Sequence, residues 1–433
     1  MIALRKFMPK RKRTWALLLF SSIFLFALAS CGPTKLTITR ASLTPRTVVA
    51  TPALTLPGTS LEQWESTIKP KLQNDLQKYV YGVLPDSSST KIISHRIVAE
   101  SAFNGSARIE EYKLIGTATY NGISKQTPEF NLVVAIPKNA VGPVPVILME
   151  SFCPNHNTIP HPGVSKPDPE GFSCGGSGVM NKTMLFVFGR YIATPPLESI
   201  MQSGYGLATM FPSEYVPDRS AAGLEALAVL SEGHSDNNTR WGGVAAWAWG
   251  FSRAVDVLSQ DERFAKDGFV TYGHSRYGKS ALVAAAYDDR ISGVIAHQSG
   301  TGGASLNKQK HGESVTEITD TYPHWFSKAY ASYGGREDDM PIDQHALIAL
   351  IAPRPIFLGN ARRDVWSDPN GAFRAAQGAQ QAYELYNKQG LNQVKLKPYI
   401  SGADISFYIR PGTHGVVKED WPAFLEFMDA HYK

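Results

Sequence analysis

The sequence predicts an α/β fold, a doubly wound and mostly parallel sheet entered through antiparallel strands. Three observations predict it. From Val144 onward, short β-prone runs alternate with helical stretches, the pattern of strands joined by helical crossovers. Val144–Glu150, entered through Pro143 and Pro145, is a near-continuous apolar run, as strands covered on both faces are. Phe269–Tyr272 breaks at Gly273 and resumes as a small-residue helix, Ser280–Tyr287, with Ser275 between Gly273 and Gly278. A serine flanked by glycines at a tight strand-to-helix turn is the mark of a nucleophile elbow. The spacing here is Gly-x-Ser-x-x-Gly, and a plain turn with an incidental serine is the alternative.

Residues 1–59 stand apart from that fold. Arg5, Lys6, Lys10, Arg11, Lys12 and Arg13 precede an apolar core, Trp15 to Leu28, too short and one-sided for a spanning helix. Leu28-Ala29-Ser30-Cys31-Gly32 then reads as a lipoprotein cleavage site, with Cys31 taking the lipid; an ordinary signal peptide with a chance cysteine is the alternative. The expected organisation is a signal peptide over 1–30, a lipidated Cys31 and Pro/Thr/Ser-rich tether over 31–59, and one catalytic domain over 60–433. This places the protein in a bacterial cell envelope, anchored by lipid and facing the periplasm or the surface. Gly32 in place of an aspartate favours the outer membrane.

The whole chain carries +5, and residues 1–30 hold six basic residues and no acid, so the remainder nets −1. No basic run is left to bind nucleic acid. A monomer is expected. Beyond Cys31 only Cys153 and Cys174 occur, in an irregular loop; an oxidising compartment makes them a candidate disulfide, and their spacing fits no zinc pattern.

Within the domain, Leu61, Trp64, Ile68, Leu72, Leu76 and Val80 share one helical face, with Ser60 as N-cap and Pro70 expected to kink or split the helix. Lys91–Val98, Arg108–Tyr120 and Phe130–Ile136 read as an antiparallel meander. Ser151–Ser199 is irregular, and Tyr205–Phe211 is a strand. Gly242–Leu258 is a helix whose Trp247, Trp249, Phe251 and Val255 pack in the core. After the elbow come strands Ile291–His297, Arg354–Asn360 and Asp404–Ile409, and helices Gln344–Ile351, Pro369–Gln389 and Glu419–His431.

A serine hydroxyl needs an oriented base. In an α/β-hydrolase the chain order is serine, acid, histidine. His414, in Pro411-Gly412-Thr413-His414-Gly415 after the last strand, is the candidate base; His431 lies at a fraying terminus. Asp364 follows the Arg354–Asn360 strand and is the candidate acid, while Asp368 reads as the N-cap ahead of Pro369.

Several stretches together resemble the glucuronoyl esterases, carbohydrate esterase family 15. They are Gly273-His274-Ser275-Arg276-Tyr277-Gly278-Lys279, Ala246-Trp247-Ala248-Trp249-Gly250, Ser299-Gly300-Thr301-Gly302-Gly303, His311-Gly312-Glu313-Ser314, Pro323-His324-Trp325-Phe326, Asp364-Val365-Trp366-Ser367-Asp368-Pro369 and the His414 segment. The resemblance implies an α/β-hydrolase fold and hydrolysis of (4-O-methyl-)glucuronic acid esters, such as those joining glucuronoxylan to lignin alcohols, through an acyl-enzyme without metal or cofactor. A different polysaccharide esterase, such as an acetylxylan esterase, is the alternative. By the same resemblance Ser275 is the nucleophile and His414 the base, Arg276 serves the oxyanion, and Lys279, Glu313 and Trp366 hold the sugar. Many members carry a glutamate where this sequence has Gln298. An amide cannot supply the charge that stabilises an imidazolium. Asp364 is therefore expected to orient His414 alone, with Gln298 grouped among the substrate-side residues as a neutral hydrogen-bonding neighbour.

Overall fold

The computed structural model describes residues 51–55, 57–167, 174, 185 and 188–433. The signal segment, Cys31 and the tether up to residue 50 lie outside the described residues.

The described strands form one ten-stranded sheet in the order β1-β2-β4-β6-β5-β7-β8-β9-β10, with β3 paired to β2. β1 (Ser87–Ala102), β2 (Ala107–Tyr120), β3 (Ile123–Gln126) and β4 (Phe130–Pro137) are antiparallel, and β4 meets β6 (Gly206–Met210) in the same sense. From there the sheet is parallel: β6 to β5 (Val144–Glu150), then β7 (Phe264–His274), β8 (Gly293–His297), β9 (Ile356–Ala361) and β10 (Ile405–Arg410). This is the mixed sheet expected of the sequence. The β3 hairpin arm is an addition to the expected meander.

Period two along β5 explains the two cores. Val146 and Leu148 join one hydrophobic cluster and Ile147 and Met149 the other, one on each face of the sheet. Every residue of β5 except Pro145 is buried, which is why the run carries no polar alternation.

The N-terminal helical run over 61–81 begins with Ser60 Oγ accepting the Gln63 N–H at 3.1 Å. It changes to wider turns over Trp64–Ile68 and Gln77–Tyr81, with α1 (Lys69–Leu76) between them and Pro70 in its first turn. Pro70 removes one main-chain donor inside the run, and the widened turn before it accommodates the ring, so the run is divided and not ended. Gly82 closes it at φ +84, where a Cβ would lie 2.3 Å from the Trp241 backbone. α2 (Ser220–Leu230), unmarked in the sequence reading, and α3 (Gly243–Leu258) follow β6. α3 is buried on nearly every side, including Trp247 and Trp249. α4 (Arg276–Tyr287), α5 (His345–Ala349), α6 (Pro369–Leu385) and α7 (Asp420–Tyr432) complete the layers. α4 starts at Arg276, four residues before the expected Ser280, so the turn at Ser275 is one residue long.

Candidate active site

The parallel strands β7, β9 and β10 each end in a loop that carries one candidate catalytic residue, as open α/β sheets place their chemistry at the carboxyl ends. β7 runs directly into α4 through Ser275, whose backbone sits at φ 56, ψ −121. A non-glycine residue there is strained. The strain is held by Ser275 N–H donating to His297 O at 2.8 Å, and by Gly278 and Lys279 N–H returning to Ser275 O. Gly273 must lack a Cβ, which would stand 1.8 Å from Tyr277 O. The first-turn amides of Arg276 and Tyr277 have no intrahelical acceptor and directly follow Ser275 at the elbow.

His414 and Asp364 meet across 50 residues of chain. His414 Nδ1 lies 2.8 Å from Asp364 Oδ2. The ring is 30% exposed and the carboxylate 2%. Burial alone would raise the Asp364 carboxyl, yet His414 and the Ser367 donors outweigh it and hold the group below its usual range. The His414 ring also lies 4.6 Å from that of His274, the residue before Ser275. Asp368 takes the capping role expected of it, with Oδ1 accepting Gly371 N–H at 3.0 Å and Oδ2 accepting His311 N–H at 3.2 Å.

Arg276 carries its guanidinium back across the elbow to an ion pair with Asp218. The cation stands over the rings of Trp325 (4.9 Å), Phe152 (5.1 Å) and Tyr322 (5.8 Å). On the other side of the elbow, buried Lys279 donates to Ser299 O at 2.5 Å and Thr301 O at 2.6 Å. Two of its three N–H groups are thus used by the glycine-rich loop. Thr301 Oγ1 donates to Glu313 O at 2.6 Å, and Glu313 N–H donates to Trp366 O at 3.0 Å. Burial pushes the Glu313 carboxyl up against the pull of Lys279 and Lys310, and burial draws the Lys279 ammonium down. No direct Lys279–Glu313 bridge joins them among the described residues. Together they form a cradle with a cation, a carboxylate and a half-exposed indole face, donor and acceptor groups of the kind that bind neighbouring sugar hydroxyls.

The family model for fungal glucuronyl esterases matches residues 235–387, which includes the elbow, the glycine-rich loop and Asp364. A curated relative, carbohydrate esterase MZ0003 from an unknown prokaryotic organism, is 32% identical over 395 residues, 89% of this chain and 90% of its own. The chain belongs to carbohydrate esterase family 15. Among solved structures, a promiscuous esterase of this family from a marine bacterial metagenome is 30% identical with TM-score 0.75, over 89% of this chain and 98% of its own. The glucuronoyl esterase from Solibacter usitatus is 29% identical with TM-score 0.74, over 90% and 100%.

Gln298 is 1% exposed and at φ 51, and its side chain is committed to the His414 loop. Its Oε1 accepts Gly415 N–H at 2.8 Å and its Nε2 reaches Thr413 O at 3.5 Å. Both ends of the amide meet backbone groups of the His414 loop, so Gln298 ties β8 to that loop. A neutral hydrogen-bonding neighbour of His414 is expected at this position, and the partners seen are backbone groups of the His414 loop. Cys153 and Cys174 are joined by a disulfide.

Sequence reasoning missed the supports. Asp420 accepts from Arg410 Nε at 2.7 Å, and Arg410 donates to Pro411 O and Gly415 O at 2.9 and 2.7 Å, clamping the loop that carries His414. The buried pair His274 and His297 meets through Nδ1 atoms 3.0 Å apart under His414. Burial lowers both rings' proton affinity, which disfavours a second cation next to His414. Asp218 had no signal beyond being an aspartate in a loop.

Proposed function

We propose that this protein is a serine esterase that hydrolyses esters of glucuronic acid, with 4-O-methylglucuronoyl side chains of xylan esterified to lignin alcohols as its natural substrate class. The single observation that carries the reading is the 2.8 Å Asp364–His414 pair beside a strained Ser275 elbow in a family 15 chain. Curated 4-O-methyl-glucuronoyl methylesterases support it, among them one from Hypocrea jecorina that is 34% identical over 166 residues. Ser275 Oγ attacks the uronoyl carbonyl while His414 Nε2 takes its proton, and Asp364 stabilises the imidazolium. Arg276 and the backbone amides of the α4 first turn stabilise the tetrahedral oxyanion. His414 then gives its proton to the departing alcohol. Water, deprotonated by His414, attacks the acyl-enzyme and releases the acid and the free serine. Lys279, Glu313 and Trp366 hold the uronic-acid ring.

The same reading makes the mature protein a lipid-anchored, monomeric component of a bacterial envelope, with Cys31 carrying the lipid. The motif at Cys31 and the tether over 31–59 support it. The test is to follow acid release from methyl, allyl and benzyl glucuronates by the purified chain from Cys31 onward. Turnover is expected on all three. Brisk cleavage of acetylated xylan with none of the glucuronates would replace the substrate class. Growth with labelled palmitate checks the anchor, since label that persists in Cys31→Ala would remove it.

A further inference from the structure

An arginine serves an oxyanion only if its guanidinium is fixed where the charge will form, because a long flexible cation otherwise prefers solvent. Here the fixing carboxylate comes from a part of the chain 58 residues upstream. Asp218 accepts the Arg276 NH1 through Oδ2. Its Oδ1 accepts His324 Nε2–H at 2.9 Å and Trp325 Nε1–H at 2.8 Å. The carboxylate therefore has three donors and one available orientation. Tyr322 stacks on Trp325 with ring centroids 3.8 Å apart and planes 4° from parallel, and both faces lie by the cation.

The support extends one layer further. Gly243 N–H donates to His324 O at 2.7 Å and Val244 N–H to Trp325 O at 3.1 Å, so the α3 N-terminus pins the segment that carries both donors. A Cβ on Gly223 of α2 would stand 2.8 Å from the His324 ring, which explains a glycine inside that helix. Burial would raise Asp218, but His324 and Arg276 hold its carboxyl down at about 2, so it is an anion wherever the enzyme works. Arg276 Nε is buried without a protein partner. An unpaired buried donor beside the elbow is what a site looks like before its acceptor, the substrate oxygen, arrives.

We propose that Asp218, backed by His324 and the Tyr322–Trp325 stack, is the positioning residue of the oxyanion site: it grips one edge of the Arg276 guanidinium so that the free donor edge faces the carbonyl oxygen of the ester. Asp218 touches neither substrate nor reacting atoms and acts through Arg276. Because His324 and Trp325 share its charge, it does not cancel the cation. The assignment rests on the esterase reading of Ser275 and Arg276.

The experiment is a double-mutant cycle on the mature, disulfide-bonded protein, with benzyl glucuronate and p-nitrophenyl acetate run in parallel. Arg276→Ala should lower kcat by about 10²–10³, the cost of one oxyanion donor. Asp218→Asn keeps the shape and loses the charge; it should lower kcat by about 10-fold or more on both esters, with KM within about threefold, measured at a temperature where circular dichroism shows the variant folded. The double variant should be no slower than Arg276→Ala alone, the signature of one residue acting through the other. Losses that multiply, an Asp218→Asn enzyme within twofold of wild type, an effect on KM alone, or an Arg276→Ala enzyme at full rate would each overturn the proposal. Should Asp218→Asn not fold, half-exposed Tyr322→Leu is read in the same cycle. A several-fold loss that vanishes on the Arg276→Ala background supports the device, and a loss that persists there overturns it. Loss of benzyl glucuronate turnover in the wild type, with acetate still cleaved, refutes the substrate class and leaves the cycle readable on acetate.

Discussion

Asp364→Asn tests the catalytic geometry most directly. The carboxylate is 2% exposed and 2.8 Å from His414 Nδ1, so little water screens it from the ring. When Ser275 gives up its proton, the ring becomes a cation. Charge centres about 4 Å apart at an effective dielectric of about 20 interact by about 4 kcal/mol. At 1.36 kcal/mol per decade that is about three powers of ten in rate. The amide also has an NH2 that can turn toward Nδ1 and favour the tautomer protonated on Nε2, which cannot accept from serine. The two effects together give about 10⁴ in kcat, as the comparable change does in serine proteases. KM should move by less than about threefold, because Asp364 is covered by His414 and Ser367. The assay is initial rates on benzyl glucuronate, with serine-directed phosphonate labelling slowed in parallel. Retention of a tenth of the wild-type kcat would refute the reasoning. Asp368, whose oxygens accept the Gly371 and His311 N–H groups, would then be the next carboxylate to test.

Gln298→Ala removes the acceptor of the buried Gly415 N–H; leaving it unpaired should loosen the His414 loop and lower kcat about tenfold, with KM for benzyl glucuronate little changed. A large rise in KM would place Gln298 in the sugar cradle. Gly273→Ala forces a Cβ to 1.8 Å from Tyr277 O and should yield insoluble or unlabelled protein; a soluble variant that phosphonate labels at the wild-type rate would contradict the elbow geometry. Glu214 is raised by burial from 4.5 to about 7, opposed by Asn131. A carboxyl raised on folding contributes stability that is complete below about pH 4.5 and lost as pH rises through about 7. Melting temperatures of Glu214→Gln should therefore fall less than wild type between pH 5 and 8, and parallel curves would count against it. Opening the Cys153–Cys174 loop, with a sequence separation of 21, by Cys153→Ser should cost about 3 kcal/mol by denaturant titration. An unchanged midpoint would show that the bridge does not restrain the unfolded chain.

The sequence by itself determined the elements whose cause is local. The apolar run of β5, the Asp368–Pro369 start of α6 and the glycines around Ser275 are set by neighbours within a few residues, and each is read from period, cap or turn chemistry. Chain order along a parallel sheet then carried Asp364 and His414 to the end of adjacent strands. Boundaries shifted where local signals are weak: Arg276 and Tyr277 look like a loop, yet the α4 helix begins with them because the strained Ser275 makes the whole turn. What tertiary structure alone decided are pairings of single polar residues with no periodicity to announce them. Asp218 meets Arg276, and Gln298 meets Gly415, because loops leaving non-adjacent parallel strands converge at the same carboxyl end of the sheet, and a lone aspartate or glutamine reads the same whether it faces a sugar, a cation or a backbone amide. Packing supplies that distinction: Gln298 sits by the His414 loop at 1% exposure, where its side chain bonds the Gly415 N–H and the Thr413 carbonyl.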